Sequence, residues 1–190
     1  MSMKAYWVIN VNKPRQLRRQ LSRSFVRRFL ELLSGLATYP TGGVSPFAFA
    51  PERILDTSNT LRLFAVTFGA LAPQGSTDGI QVGNGTTPVL WNNFKLASPI
   101  QHSNTGLSYG AMSHTNIVNE PNGGSFRLIR SFTNNSSSNI TITEVGLTAR
   151  VVTEGSVYVQ VLLARDLLTT PIVVSPGATM TVRYIIRVIM

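Results

Sequence analysis

The residues able to perform acid–base or metal chemistry are few and scattered. The chain has two histidines, His102 and His114, no cysteine and eight acidic residues among 190. A hydrolytic triad needs a histidine beside a hydroxyl and a carboxylate, but Asp78 and Glu120 are isolated in turn-like sequence. Neither histidine has an acidic residue at metal-ligand spacing. We predict no enzymatic activity, cofactor or metal. The alternative from this class is a hydrolase or carbohydrate-binding module that uses either histidine.

Residues 83–87 read GNGTT, which invites comparison with a phosphate-binding loop. The lysine that follows the last glycine of such loops is missing, and no helical periodicity comes after it. A tight turn is therefore the better interpretation. Glu144, inside a predicted strand, has two interpretations that stay open. It is either an exposed strand position or the partner of Arg150 or Arg165 in a salt bridge that fixes a sheet edge or a subunit contact.

The strongest chemical character lies at the N-terminal end. Residues 1–31 carry eight basic side chains and one acidic one, a net charge of +7 out of +9 for the whole chain. Asn12 suits a helix N-cap, Pro14 a first helical turn and Gly35 a helix end. Between them, residues 15–34 show a helical periodicity that predicts an amphipathic helix. Its apolar face consists of Leu17, Leu21, Phe25, Phe29, Leu32, Leu33 and Leu36.

Three kinds of partner suit such a helix. Guanidinium groups bind phosphate, so its arginines suit nucleic acid. The helix also suits the groove of an acidic neighbouring subunit, or a membrane surface. Because nucleic acid alone leaves the apolar face unexplained, we favour docking onto protein and expect no membrane partner. Contact with nucleic acid or an acidic partner is a second role, assigned to Arg15, Arg18, Arg19, Arg23, Arg27 and Arg28.

The rest of the chain predicts short strands separated by turn sequences. In the last strand Met180, Val182 and Tyr184 alternate with Thr181 and Arg183, so one face belongs to a core and the other to solvent or an interface. Strands are predicted at residues 5–11, 61–68, 107–114, 126–133, 140–150, 157–164, 172–174 and 179–188.

This pattern predicts an all-β fold: an antiparallel β-sandwich, jelly-roll-like, with an N-terminal basic amphipathic α-helix. The expected organisation is a strand and helical arm over 1–38, a Pro/Gly-rich connector over 39–53 and the sandwich over 54–190. Charged residues make up 13% of the chain, against about 25% in a typical soluble domain. A surface covered by neighbouring subunits, or rich in Ser, Thr and Asn, accounts for this low share.

Several short stretches follow one another in the second half of the chain. They are residues 82–89 (VGNGTTPV) with 96–100 (LASPI), 142–147 (ITEVGL), and 163–167 (LARDL) leading into 171–177 (PIVVSPG). Taken in order, they resemble virion structural proteins of tailed bacteriophages. The resemblance covers roughly residues 79–190. The sequence departs from the family pattern at Asn84, where a small residue is expected, and at Ser175, where proline is expected.

The resemblance implies a structural component of a bacteriophage virion, assembled in the host cytoplasm. We expect it to form multiple copies through its sandwich and its docking arm, with copies of itself and other virion proteins as partners. A place in the tail, the neck or the capsid surface is equally compatible. The arm lies outside the resemblance, so its role is not carried over. The alternative is a capsid-forming jelly-roll protein of a small virus whose basic arm binds the genome.

Overall fold

The structure is a computed structural model that describes residues 2–13, 15–22, 53–55, 57–58, 61–69, 72–153 and 158–189. These residues form twelve β-strands, numbered here in chain order. The strands are β1 (Ser2–Asn12), β2 (Arg15–Ser22), β3 (Arg53–Leu55), β4 (Leu61–Gly69), β5 (Gly79–Gly83), β6 (Leu107–Tyr109), β7 (Ser113–His114), β8 (Val118–Glu120), β9 (Gly123–Asn134), β10 (Ile140–Thr153), β11 (Tyr158–Val174) and β12 (Thr179–Ile189).

The strands form two antiparallel sheets. The first sheet has the order β2-β1-β12-β9-β6, and β7 and β8 also pair with β9. The second has the order β11-β10-β4-β3, and β5 pairs with β10. The described chain is thus all-β and antiparallel, as the sequence predicts, and its two sheets are consistent with a β-sandwich.

One large apolar cluster unites the inward faces of both sheets. The alternation of the last strand is confirmed, because Met180, Val182 and Tyr184 of β12 are buried in this cluster. Trp7 of β1 packs against Tyr184 with their ring centroids 4.2 Å apart. Burying a large apolar side chain contributes about 1.5–3 kcal/mol, so this core is the main source of stability.

The predicted N-terminal helix is wrong in the part that the structure describes. Residues 15–22 form β2, which pairs with β1 along its whole length, and the described residues contain no helix. Leu17 and Leu21 misled the prediction because a spacing of four residues places side chains on one face of a strand as well as of a helix. The other residues assigned to the helix lie outside the described ranges: Arg23, Phe25, Arg27, Arg28, Phe29, Leu32, Leu33 and Leu36.

The first strand, predicted over residues 5–11, is confirmed and is an inner strand of its sheet. β1 lies between β2 and β12, and Ala5, Trp7, Ile9 and Val11 are buried. Asn12 is not a helix cap: its Oδ1 accepts a hydrogen bond of 2.8 Å from the backbone N–H of Thr179. β1 therefore joins the N-terminal residues to the sandwich rather than to a separate arm.

Other strand predictions differ mainly in their boundaries. The two strands predicted over 157–164 and 172–174 are one strand, β11, whose pairing with β10 is irregular around residues 168–171. The strand predicted over 107–114 is divided into β6 and β7. Within the described ranges, no helix is long and apolar enough to cross a membrane.

Candidate functional site

A buried ion pair lies on the side of the second sheet that faces away from the main core. Val145 and Leu147 of β10 belong to that core, so the alternate residue Glu144 points to the opposite face. Glu144 is 0% exposed, and its Oε2 lies 2.7 Å from Nε of Arg165 on β11. The salt-bridge interpretation of Glu144 is confirmed with Arg165 as the partner, and the exposed position is wrong. Arg150 instead forms an ion pair with Asp78.

The Glu144 carboxylate accepts hydrogen bonds from three backbone amides of one loop. Its Oε1 accepts from Gly85 at 3.2 Å and from Ser98 at 2.7 Å. Its Oε2 accepts from Ala97 at 3.1 Å in addition to the Arg165 guanidinium. A buried charge is tolerated only when it is paired and hydrogen-bonded, and here both conditions hold.

Arg165 holds the same loop from the other side of the ion pair. Its Nη2 donates to the carbonyl of Thr87 at 2.9 Å, and its Nη1 donates to the carbonyl of Pro88 at 3.3 Å and to Oδ1 of Asn93 at 3.1 Å. That same Oδ1 accepts the backbone N–H of Leu90 at 2.8 Å. The side chains of β10 and β11 thus fix the course of residues 85–98, which we call the anchored loop.

The GNGTT stretch forms the start of the anchored loop. A Cβ atom on Gly83 or on Gly85 would lie 2.5 Å from Oε1 of Glu144, so larger residues would collide with the carboxylate. The backbone N–H of Gly85 is already bound to this internal carboxylate. A phosphate group therefore has no place there, and the glycines serve a close approach of backbone to side chain.

The tip of the anchored loop is apolar and exposed. Leu90 and Trp91 are 57% and 55% exposed, whereas Leu96 at the end of the loop is fully buried against Leu162. The hydrogen bonds to Arg165 and Asn93 hold this tip in one shape. A large apolar pair on a rigid support is typical of protein contact sites.

A second buried carboxylate connects the two sheets. Asp166 of β11 accepts a hydrogen bond of 2.8 Å from Nε1–H of Trp7 and one of 2.6 Å from the hydroxyl of Ser22. Oγ of Ser22 is 3.3 Å from the phenol oxygen of Tyr184, and burial raises the pKa of that phenol. These contacts fasten β1, β2 and β12 of the first sheet to β11 of the second.

Arg130 is a third buried polar residue, and sequence reasoning missed it. It lies between Leu128 and Phe132 on the inward face of β9, and its guanidinium stacks 4.8 Å from the ring centroid of Tyr109. Burial lowers the pKa of Arg130 to about 10 and raises that of Tyr109 to about 12. The guanidinium donates five hydrogen bonds, to the carbonyls of Pro73, Ser76, Asp78, Ile80 and Gly110.

The histidines occupy separate places. Nδ1 of His102 accepts a hydrogen bond of 3.0 Å from the backbone N–H of Tyr109, so that nitrogen is not free to act as a base. His114 is exposed on β7. In the part of the chain that the structure describes, no group of three His, Cys, Asp or Glu side chains is placed to hold a metal ion.

The outward side of the first sheet carries a concentration of basic side chains. β2, β1, β12 and β9 lie side by side there, and we call this surface the basic face. Arg19 lies over the ring of Tyr6 at 4.7 Å, and Leu17 and Leu21 lie on the same side of β2 at 64% and 39% exposure. The basic residues of this face are Lys4, Arg15, Arg19, Arg127, Arg183 and Arg187.

One carboxylate borders the basic face. Glu120 of β8 forms an ion pair with Arg187. A hydrogen bond from Ser125 and the nearby Arg187 lower the pKa of Glu120, so it stays ionised at neutral pH. Between these side chains lies a shallow groove, lined by Arg19, Arg127, Arg183 and Arg187 among others.

Fold and side-chain geometry define the described part of this chain as antiparallel and all-β, with buried ionic groups that fasten loops and sheets to one another. No family model, curated protein or solved structure matches the chain.

Proposed function

We propose that this protein is a non-enzymatic structural component of a bacteriophage virion that assembles in multiple copies through its sandwich. The observation that carries the proposal is the buried Glu144–Arg165 pair together with the anchored loop. The two side chains bind each other and also hold five backbone groups of the loop, the amides of Gly85, Ala97 and Ser98 and the carbonyls of Thr87 and Pro88. Such a pair adds little net stability compared with apolar packing, but it imposes one loop conformation.

Four of the five stretches that resemble phage virion proteins meet at this pair; residues 171–177 are the exception. Gly85, Thr87 and Pro88 come from the first stretch and Ala97 and Ser98 from the LASPI stretch. The ITEVGL and LARDL stretches supply the carboxylate and the guanidinium themselves. The resemblance therefore concerns one packed unit rather than unrelated short segments, which supports the family-based proposal.

Assembly in this proposal uses exposed apolar side chains on rigid supports. Leu90 and Trp91 at the tip of the anchored loop are one contact, and burying each against a neighbouring subunit contributes about 1.5–3 kcal/mol. Leu17 and Leu21 offer a second contact, from a strand of the sheet rather than from a helix. No turnover is needed, because the mechanism is burial of surface between subunits.

The test is whether the chain is incorporated into virus particles through the loop tip. Mass spectrometry of purified particles is expected to find this chain in a fixed ratio to the other virion proteins. Particles carrying Leu90→Ser with Trp91→Ser are expected to lose it. The matched control is Ile117→Ser, which changes an apolar residue that is 73% exposed on a different loop. Absence of the chain from wild-type particles contradicts the proposal, and equal incorporation of both variants removes the loop tip from it.

A further inference from the structure

We propose that the basic face binds the phosphodiester backbone of a nucleic acid, with Arg19, Arg127, Arg183 and Arg187 as the contacting residues. This goes beyond the structural function proposed above, because it adds a ligand and assigns it a surface. The sandwich itself carries this surface, so the proposal does not depend on a helical arm. Four arginines line the groove, and among the described residues Glu120 is the carboxylate that lines it with them.

The strand register spaces these arginines over the groove. Val8 of β1 pairs with Arg19 on one side and with Arg183 on the other, so the two arginines flank it in one row across the sheet. Adjacent strands lie about 4.8 Å apart, which places their Cα atoms about 10 Å from each other. Arg127 and Arg187 occupy the following two rows, each displaced by two residues along β12. The result is a two-dimensional array of positive charge rather than a single cationic site.

The carboxylates that the structure describes do not favour a second copy of this chain as the partner. Among the side chains that the structure describes, Asp78, Glu144 and Asp166 are buried, and Glu120 is already paired with Arg187. The described surface therefore offers no acidic patch that would complement the basic face of another copy. A separate polyanion supplies the missing negative charge.

The chemistry of the face favours nucleic acid over an acidic protein. All four groove cations are arginines, whose planar guanidinium groups bind phosphate oxygens in pairs. Tyr6 and the aliphatic Ile185 lie among them, and the Arg19 guanidinium stacks over the Tyr6 ring at 4.7 Å, which holds this cation at the groove. The face is an open sheet without the enclosed apolar pocket that anchors most protein partners. Backbone recognition of this kind is independent of nucleotide sequence.

The experiment measures binding of the full chain to fluorescently labelled DNA of random sequence, single-stranded and double-stranded, by anisotropy at several salt concentrations. Arg127→Gln with Arg183→Gln is expected to weaken binding at least about tenfold and to lower the slope of log K against log salt by about 2. The matched control, Lys13→Gln with Lys95→Gln, removes the same charge from exposed lysines off the groove. It is expected to change affinity less than about twofold.

Two further arms separate the proposal from its competitors. Arg127→Lys with Arg183→Lys keeps the charge and is expected to retain most of the affinity, which also shows that these positions tolerate substitution. Poly-glutamate serves as an acidic polypeptide and is expected to compete poorly with DNA. Any one of three results overturns the proposal. Poly-glutamate competes as well as DNA, the wild-type protein does not bind DNA, or the Arg127→Gln with Arg183→Gln variant binds DNA as tightly as wild type. The particle-incorporation result stands independently of all three.

Discussion

At the scale of single residues, Glu144 and Glu120 both form ion pairs but differ strongly in what surrounds them. Glu144 is 0% exposed and holds three loop amides and Arg165, while the side chain of Glu120 is 24% exposed. Removing one partner of a buried pair leaves an uncompensated charge in the interior. When one partner of an exposed pair is removed, water solvates the charge that remains.

We therefore predict that Glu144→Ala lowers the free energy of unfolding by about 3–5 kcal/mol. Urea unfolding followed by far-UV circular dichroism measures the effect. Glu120→Ala is the control, and we expect a much smaller loss because its carboxylate is solvated. Similar losses in the two variants would mean that the Glu144 cluster is hydrated, contrary to the packing described above.

Because Tyr109 is buried, we predict that the protein loses stability at alkaline pH. The Tyr109 hydroxyl donates a hydrogen bond of 2.5 Å to the carbonyl of Ile100, and burial raises its pKa to about 12, from about 10 in an unfolded chain. The folded state therefore keeps a proton that the unfolded state releases. The resulting contribution to the free energy of unfolding is complete below pH 10. It is lost as the pH rises from about 10 to about 12, by up to about 1.4 kcal/mol per pH unit.

The comparison of wild type with Tyr109→Phe isolates this effect. The lowered pKa of Arg130 acts in the opposite direction over the same range, and it is present in both proteins. We expect wild type to be the more stable at pH 9, because the hydroxyl is bonded, and its advantage to shrink between pH 10 and 12. An advantage that stays constant with pH contradicts a buried, protonated Tyr109.

Sequence patterns reveal some of these residues and miss others for a physical reason. Glu144 and Arg165 attract attention because each is a charge inside an apolar strand. Arg130 occupies the same kind of position between Leu128 and Phe132, yet five backbone carbonyls rather than an acidic side chain satisfy it. Backbone carbonyls of residues distant in the sequence give no sequence signal. The hydrogen-bond partners of Arg130 can therefore be recognised only from the fold.

At the scale of elements, β2 explains why periodicity alone is insufficient. Its outward residues Leu17 and Leu21 repeat every four positions, which fits both a strand and a helix. The inward residues Gln16, Gln20 and Ser22 decide the outcome, because each forms a hydrogen bond to β11 across the edge of the sandwich. These polar residues alternate along β2 as core residues would. Their burial cannot be predicted from the sequence, because it depends on the position of β11. β1 and β12, by contrast, show apolar alternation that is readable directly.

Gln20 is the central link of this edge. Its Nε2 donates to the carbonyl of Leu167 at 2.7 Å, and its Oε1 accepts the backbone N–H of Thr169 at 3.0 Å. These groups lie at the irregularity where four residues of β11, 168–171, separate the partners of Ile142 and Glu144. A strand that bulges in this way leaves backbone groups unpaired, and Gln20 pairs two of them.

We predict that Gln20→Ala destabilises the protein by about 1–3 kcal/mol, because it leaves two backbone groups without their partners. Amide hydrogen exchange of Thr169 is expected to accelerate in the same variant, while the amides of the central strands keep their protection. Arg15→Ala, an exposed change on the outward side of the same strand, is the control and should alter neither quantity. An unchanged Thr169 exchange rate in Gln20→Ala would show that β2 does not close this edge.

At the scale of the whole molecule, most of the charged side chains that the described surface carries are basic. The carboxylates of Asp78, Glu144 and Asp166 are buried, and so are the guanidinium groups of Arg130 and Arg165. The basic side chains that remain at or near the surface are Lys4, Lys13, Arg15, Arg18, Arg19, Lys95, Arg127, Arg150, Arg183 and Arg187. Among the described side chains Glu120 is the carboxylate that stays partly exposed, so the described surface carries a large excess of positive charge.

A surface of one sign repels itself and opposes folding, and dissolved salt screens this repulsion. The Debye length falls from about 30 Å at 0.01 M to about 8 Å at 0.15 M ionic strength. We therefore predict that the Tm of the purified protein rises by a few degrees over this range of KCl. Chloride is the suitable anion, because sulfate and phosphate also stabilise proteins by exclusion from their surfaces.

A variant that combines Arg127→Gln, Arg183→Gln, Lys13→Gln and Lys95→Gln tests the cause of this effect. Its Tm should depend less on KCl concentration, because fewer like charges remain. A Tm that falls with KCl would mean that attractive ion pairs at the surface outweigh the repulsion. That result would contradict the prediction.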